Sequence, residues 1–210
     1  MNRHRGFTIL KLMTIVAITA ALVTIGIPGF NTLTFNNRLT TQLNLFSSSL
    51  ALARSEAVKV NQRVVVCPSD DGLTCDTTLT FDKGWLVFVD RGGTDFQVDN
   101  DGAGNPLDDP CGVTAGDDAA DDCILNYVPG LTVVTMTLQT DIAANRISYN
   151  GLGSSSSAGM FVICDSRDND NEDGDGIDDY AKAVVVSNTG RTSVRTTKID
   201  GSAIACDPPF

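Results

Sequence analysis

Histidine is almost absent from this 210-residue chain, because the only one is His4. Catalytic serine and cysteine commonly depend on a histidine base, so Ser–His and Cys–His chemistry is excluded for the chain beyond its first few residues. A glycine-rich loop followed by lysine, which would cradle a nucleotide phosphate, is also missing. We therefore expect that the protein is not an enzyme.

Other familiar signatures are missing as well. The six cysteines contain no C-x-x-C pair, which disfavours a structural zinc site. No repeat with a period of 20 to 50 residues is visible, which excludes a solenoid. Without the leader and the first apolar segment, about 150 residues remain, which is enough for one compact domain.

Charge is plentiful but unevenly placed. The formal net charge is −11, and two stretches, 95–122 and 168–179, hold nine and seven of the 26 acidic residues. The other ten acids face fifteen basic residues, so the remaining framework is mildly basic. The acidic stretches would repel nucleic acid and favour solubility.

The first 28 residues carry the strongest pattern. A basic leader, Met1 to Arg5, is followed by Gly6 and by an apolar run from Phe7 to Ile27, in which Lys11 is the only charge. As a helix this run would be roughly 30 Å long, the thickness of a bilayer core. A secretory signal would be shorter and would be cut after its apolar part. Here the expected cut lies before the run, so we predict a transmembrane helix, 7–27, on the mature protein.

The helix is predicted to continue past Pro28 to about Lys59, and strands to follow it. An apolar stripe at three- and four-residue steps marks the second part of the helix: Leu39, Leu43, Phe46, Leu50, Ala53 and Ala57. Period-two and β-branched segments then predict strands: 63–67, 85–90, 124–127, 131–138, 146–149, 159–164, 182–186 and 192–196. The predicted fold class is α+β, with a long N-terminal helix packed on an antiparallel β-rich head in which Trp85 is a core residue.

The N-terminal pattern resembles the class III signal of type IV prepilins and type II secretion pseudopilins. The resemblance implies cleavage between Gly6 and Phe7 by a prepilin peptidase, methylation of the Phe7 amine, and a leader of residues 1–6. Pro28 falls where pilins often carry proline. Lys11 stands where most pilins have a glutamate that pairs with a neighbouring subunit's N-terminus. One interpretation is a tip or initiating subunit that needs no such pairing; the other is that Lys11 reaches the lipid headgroups.

Motifs further along the chain resemble the FimT/GspH group of minor pilins and pseudopilins. They are Ala53 to Val64, Cys67 to Gly72, Gly84 to Asp90, Ile163 to Asp165, Ala183 to Ser187 and Gly190-Arg191. This resemblance implies a helix of residues 7–59, a head of residues 60–210, and a minor pilin that contributes to type IV pilus assembly, motility or adhesion. It implies an inner-membrane protein with a periplasmic head, and pilins or pseudopilins and the peptidase as partners. Two alternatives stay open: a GspH-like pseudopilin of a type II secretion system, and a DNA receptor displayed on a pilus. Arg54 and Glu56 are expected to be exposed or to contact another subunit.

The even number of cysteines predicts disulfides in an oxidising compartment. Six cysteines allow fifteen connectivities. Short loops favour Cys67–Cys75 and Cys111–Cys123, which leaves Cys164–Cys206 to hold the C-terminus.

Calcium is the only cofactor that the sequence favours. Residues 171–179 follow the alternating acid spacing of calcium loops, with a glycine at the sharp turn. The predicted ligands are Asn171, Asp173, Asp175, Asp179 and the carbonyl of Ile177, with Asn169 as a further candidate. A solvated acidic loop is the alternative, and 99–102 is a weaker version of the same pattern.

A basic cluster near the C-terminus predicts a second kind of site. It consists of Arg191, Arg195 and Lys198 after Gly190. FimT-type pilins carry a Gly-Arg-x-Arg patch near this place that is implicated in DNA binding, and here Ser193 replaces its second arginine. On a strand, Arg191, Ser193 and Arg195 would share one face and could hold phosphates. A solvated strand face or a subunit contact is the alternative.

Overall fold

The structure is a computed structural model that describes residues 9–91, 122–130, 136–165, 181–196 and 204, without the side chains of 24–32, 136, 137, 139 and 165. The chain divides into two compact units, Met1–Thr41 and Gln42–Phe210. One helix, α1 (Ile9–Val60), runs from the first unit into the second and continues through Pro28 and Gly29, as predicted.

The first unit presents an apolar helix. Over residues 9–23 every side chain is exposed, including Ile9, Leu10 and Ile15, which a helix of about 3.6 residues per turn places on different sides. The hydroxyls of Thr14 and Thr19 donate to carbonyls of their own helix, at 2.9 and 3.0 Å. Within the part of the chain that is described, no helix has the length and apolarity to cross a membrane. Residues 7–8 and the side chains of 24–27, which belong to the predicted span, lie outside that part.

Among the described residues, the second unit combines the end of α1 with two four-stranded antiparallel sheets. Their strands are β1 (Arg63–Pro68), β2 (Gly84–Asp90), β3 (Cys123–Pro129), β4 (Met136–Thr140), β5 (Ile147–Tyr149), β6 (Gly159–Asp165), β7 (Lys182–Val186) and β8 (Thr192–Arg195). Sheet A has the order β3-β2-β1-β5, and sheet B has the order β4-β6-β7-β8. The predicted α+β class, a helix followed by an antiparallel head, is confirmed.

Three features of the second unit differ from the sequence predictions. The strand predicted at 131–138 corresponds to β4, which extends to Thr140, while residues 131–135 lie outside the described residues. A short 3₁₀ turn, Phe81–Lys83, precedes β2 and was not predicted. The division of the strands into two sheets was not predicted either, because period-two patterning indicates a strand but not its partner.

The core forms where α1 meets both sheets. All six residues of the predicted apolar stripe are buried, at no more than 2 % exposure. The ring of Phe46 contacts Trp85 of sheet A and Phe161 of sheet B, with centroid distances of 5.2 and 4.7 Å. Phe81 completes the cluster at 5.5 Å from Phe46. The contacts with Trp85 and Phe81 are edge-to-face and that with Phe161 is tilted. Aromatic contacts of this kind add to the energy of burial, so Phe46 joins the two sheets through one side chain.

Trp85 is a core residue, as predicted. It is fully buried, and its indole N–H donates to the hydroxyl of Ser49 on α1 at 3.0 Å. A buried N–H without a partner would be costly. Ser49, a polar residue buried on α1, supplies that partner.

A disulfide closes the loop after β1. Cys67 and Cys75 are bonded, with a Cα–Cα distance of 5.7 Å, which confirms the first predicted pair. Cys123 and Cys164 each take part in a disulfide as well. The predicted pairs Cys111–Cys123 and Cys164–Cys206 each include a residue outside the described part, so these two pairings stay predictions.

The carboxylate of Asp71 organises the same loop. It accepts hydrogen bonds from the backbone N–H groups of Leu73 and Thr74, both at 2.8 Å, and from the hydroxyls of Thr74 and Ser69. Partial burial acts to raise the pKa of Asp71, but these four hydrogen bonds outweigh it and lower the pKa from 3.8 to about 2. The folded protein therefore holds Asp71 in its ionised form.

We predict that the carboxylate of Asp71 makes the free energy of unfolding of the head depend on pH in the acidic range. Its pKa is lower in the folded state, so its contribution is complete above pH 4 and is lost as the pH falls toward 2. Asp71→Asn should lower the free energy of unfolding by about 1 kcal/mol at neutral pH, allowing for solvent screening, and by much less near pH 2. Urea unfolding at several pH values measures this. Asp70→Asn, in an exposed neighbour, is the control, and equal pH profiles for the two variants would contradict the prediction.

Candidate functional site

Two of the three predicted basic residues lie together at the end of sheet B. Both arginines are exposed: Arg191 directly precedes β8, and Arg195 is its last residue. Ser193 and Arg195 lie opposite Val185 and Ala183 of β7, so they share a face, and alternation adds Arg191 to it. Lys198 lies outside the described residues. The structure thus brings together the two arginines that the sequence predicted on one face.

The turn that leads into β8 is tightly hydrogen-bonded. The N–H of Gly190 donates to the carbonyl of Ser187 at 2.7 Å, and the N–H of Ser187 donates to the carbonyl of Arg191 at 3.0 Å. Gly190 has a φ of +74°, and a Cβ there would clash with the carbonyl oxygen of Gly153 and lie 3.1 Å from Nε of Arg54. Only glycine fits this position without strain.

Arg54 of α1 holds this turn from the side of the helix. Its Nε donates to the carbonyl of Gly153 at 2.9 Å, and its Nη2 donates to the carbonyl of Thr189 at 3.1 Å. A guanidinium suits this task because its donors have a fixed planar geometry. Arg54 is partly buried and binds its own head, and its predicted contact with another subunit stays a prediction. Glu56 pairs with Lys59 on the same helix at 3.0 Å.

The loop that contains Gly153 also links the two sheets. Ser156 donates its N–H to the carbonyl of Ser148 in β5 of sheet A at 2.8 Å. Its neighbour Ser155 donates its hydroxyl to the carbonyl of Ser187, directly after β7 of sheet B, at 2.7 Å. The run of serines at 154–157 has the polar composition of a flexible loop. In the structure it forms a bridge between the two sheets.

Tyr149 lies beneath this junction with an unusual hydroxyl. The side chain is fully buried, and within the described part of the chain its oxygen has no hydrogen-bond partner. Burial raises the pKa of the phenol above its usual value, and the charge of Arg54 offsets this only in part. Tyr149 is therefore neutral at physiological pH, and its hydroxyl is desolvated without compensation.

Most other predicted site residues cannot be placed. Gly6 and Phe7, the calcium ligands Asn171, Asp173, Asp175, Ile177 and Asp179, and the candidates Asn169 and 99–102 all lie outside the described residues. Pro28 lies within α1, and Lys11 lies in its first turns with an exposed side chain. In the described ranges, no group of three or more metal-ligand side chains comes together. The processing and calcium sites therefore stay predictions.

Sequence reasoning missed the residues that build the junction. The sequence predicts that Arg54 is exposed or contacts another subunit. No sequence pattern marks Gly153 or Tyr149 as part of a site. The Asn150-Gly151 turn signal marks the loop, but it gives no indication that an arginine about a hundred residues earlier binds it. Such long-range side-chain to backbone bonds leave no periodic pattern in the sequence.

We predict that the Tyr149 hydroxyl contributes nothing to stability. Tyr149→Phe removes a buried oxygen without a partner, so the free energy of unfolding should stay within about 0.5 kcal/mol or rise. Tyr127 provides the matched comparison, since its hydroxyl donates to the carbonyl of Asp70 at 2.9 Å. Tyr127→Phe should lower the free energy of unfolding by about 1 kcal/mol. Thermal and urea unfolding measure both, and a larger loss for Tyr149→Phe would contradict the assignment.

Two solved structures are similar to this chain. Both are crystal forms of the Pseudomonas aeruginosa (strain PAO1) type IV minor pilin FimU. The first is 19 % identical with a TM-score of 0.46, and the match covers 76 % of this chain and 89 % of that one. The second is 18 % identical with a TM-score of 0.41, covering 77 % and 90 %. Likeness at this level carries no argument about function.

Sequence comparison gives the firmer result. No curated protein sequence matches the chain significantly. The family model for the type II transport protein GspH, however, matches residues 42–190, which is more than half of the chain. The matched range includes sheet A, strands β4, β6 and β7 of sheet B, and the Arg54 junction, whereas β8 lies beyond it. The chain therefore belongs to the GspH family.

Proposed function

We propose that this protein is a minor subunit of a type IV pilus that contributes to assembly of the fibre and to its surface functions. The observation that carries the proposal is the helix at 9–23, which is exposed throughout and carries apolar side chains on all sides, with Lys11 as the one charged residue of the segment. Such a surface requires an apolar environment, either lipid or the helices of other subunits. The compact β-rich unit that follows in the chain would be the part displayed to the periplasm and the exterior.

The internal hydrogen bonds of the helix suit both environments. Thr14 and Thr19 satisfy their hydroxyls on carbonyls of the same helix. They would therefore carry no unpaired polar group into lipid or into a packed fibre. Cleavage between Gly6 and Phe7 by the prepilin peptidase would release the helix from its charged leader. In the fibre, different surfaces of neighbouring subunits would meet head to tail, which produces an open helical polymer.

A second candidate is a minor pseudopilin of a type II secretion system. The name of the matching family, type II transport protein GspH, favours it. Pilus and pseudopilus subunits would share the anchor, the cleavage and the head-to-tail assembly. They would differ in whether the fibre extends from the cell surface.

We predict that the processed chain enters fibres. In its own bacterium, the mature protein should begin at Phe7 and appear in fibres sheared from the cell surface. Gly6→Val should keep Met1 and lower the amount in sheared fibres to background, while Asn2→Val in the same leader should change neither. Mass spectrometry of the N-terminus and immunodetection measure this. A processed wild-type protein that stays in the envelope, with secretion lost on gene deletion, would favour the pseudopilin. An intact Met1 in purified protein would contradict both.

A third candidate function is DNA reception by the fibre. Arg191 and Arg195 favour it because they are exposed on one face of β8. Such a pair would hold backbone phosphates without reading sequence, so binding would weaken with salt.

We predict that, if this candidate is correct, the two arginines set the salt dependence of DNA binding. Arg191→Ala combined with Arg195→Ala should weaken binding of duplex DNA and reduce the slope of log affinity against log salt by about two. Lys59→Ala with Lys83→Ala removes the same charge from exposed sites elsewhere in the head and should change little. Equal affinities for both double variants in mobility-shift titrations would exclude this role.

A further inference from the structure

The strand β8 has an open side. It pairs with β7 on one side, and among the described strands none pairs with it on the other. An unpaired strand edge carries backbone donors and acceptors that can accept another strand. All four residues of β8 are at least partly exposed, so this edge is accessible.

The apolar face of sheet B continues onto this edge. Val194 lies opposite Val184, which is fully buried, but Val194 itself is 51 % exposed. Both belong to the face of sheet B that carries Phe161 and the aromatic cluster, since Val184 lies opposite Phe161. One further strand beside β8 would cover Val194 and extend the core face by one row.

Contacts within the same chain hold the turn that precedes β8 in place. Arg54 binds the carbonyl of Thr189 in the turn that precedes β8, and Gly190 packs against Gly153 and Arg54. A partner that pairs with β8 would therefore not have to order this turn. Preorganisation of this kind lowers the entropic cost of binding.

The positive charge at the β8 edge favours an acidic partner. Arg191 and Arg195 are exposed at the two ends of β8, on a chain whose net charge is −11. Arginines on an edge discourage pairing with a basic or uncharged strand and attract an acidic one. A basic edge on an acidic protein is complementary in charge to a neighbour of similar composition.

We infer that β8 accepts an extended acidic segment of a neighbouring fibre subunit as an added antiparallel or parallel strand. The inference rests on the proposed function, because that function supplies the neighbour. Strand addition uses the open backbone, Val194 and both arginines. DNA would use the arginines alone and would leave the open backbone edge and Val194 without a partner. The observations therefore favour a strand over DNA as the occupant of this edge.

A peptide experiment with the full chain in detergent micelles tests the inference. The probe is a nine-residue peptide that alternates valine with glutamate and threonine, and its comparison carries lysine in place of glutamate. The acidic peptide should bind, and the lysine peptide should bind about tenfold more weakly. Val194→Ser should weaken binding of the acidic peptide about fivefold. Val60→Ser is the control, because Val60 is 36 % exposed at the end of α1 and should leave the affinity unchanged.

Hydrogen exchange distinguishes an added strand from a charge contact. Binding of the acidic peptide should slow amide exchange in residues 192–195, whereas duplex DNA held by the arginines would leave those amides unchanged. Absent or equal binding of the two peptides, equal effects of the two valine variants, or unchanged amide exchange would each overturn the inference. These results are separate from the fibre test. A wild-type chain that enters fibres but fails the peptide test contradicts only the added strand, and a chain that never enters fibres contradicts the proposed function.

Discussion

The head depends on burial of the α1 stripe between two sheets. Phe46 is the point of contact, since its ring meets Trp85 from one sheet and Phe161 from the other. Each sheet has few strands and needs an apolar partner to be stable. Because both use the same helix, neither sheet can lose that contact without exposing the aromatic cluster. The helix therefore serves as the shared core of the second unit.

Polar contacts then set the position of the turns around this core. Arg54 lies about two turns after Phe46 on α1 and binds two backbone carbonyls that belong to separate loops. Removal of the guanidinium would leave those carbonyls to solvent and would release the turn before β8. The apolar stripe thus fixes where the helix lies against the sheets, and the arginine fixes how the surface loops are arranged at one end.

Periodic features were predictable from the sequence, and long-range ones were not. The stripe from Leu39 to Ala57 follows helical spacing, so both the helix and its buried face were predicted correctly. The disulfide Cys67–Cys75 was also predictable, because a short loop brings its ends together. The Ser49–Trp85 hydrogen bond and the Arg54 junction join residues that are 36 or more positions apart, and the two-sheet division rests on the pairing of separate strands. They depend on tertiary packing, to which a single sequence gives no local signal. For the candidate site, strand alternation predicted that Arg191 and Arg195 share a face. It did not predict the hydrogen bonds from Arg54 that hold the turn before β8.

The bridge at Asn150 to Ser156 has a practical consequence for labelling this protein. Leu152 is 87 % exposed, so the loop looks like an open position for an epitope tag or a fluorophore-binding peptide. The backbone on either side of Leu152 nevertheless closes onto itself, since the carboxamide oxygen of Asn150 accepts from the N–H groups of Leu152 and Ser154 at 3.0 and 3.1 Å. Extra residues inserted there would separate the carbonyl of Gly153 from α1 and loosen the link between the sheets. A single side-chain label at residue 152 keeps this backbone intact, whereas an inserted sequence does not.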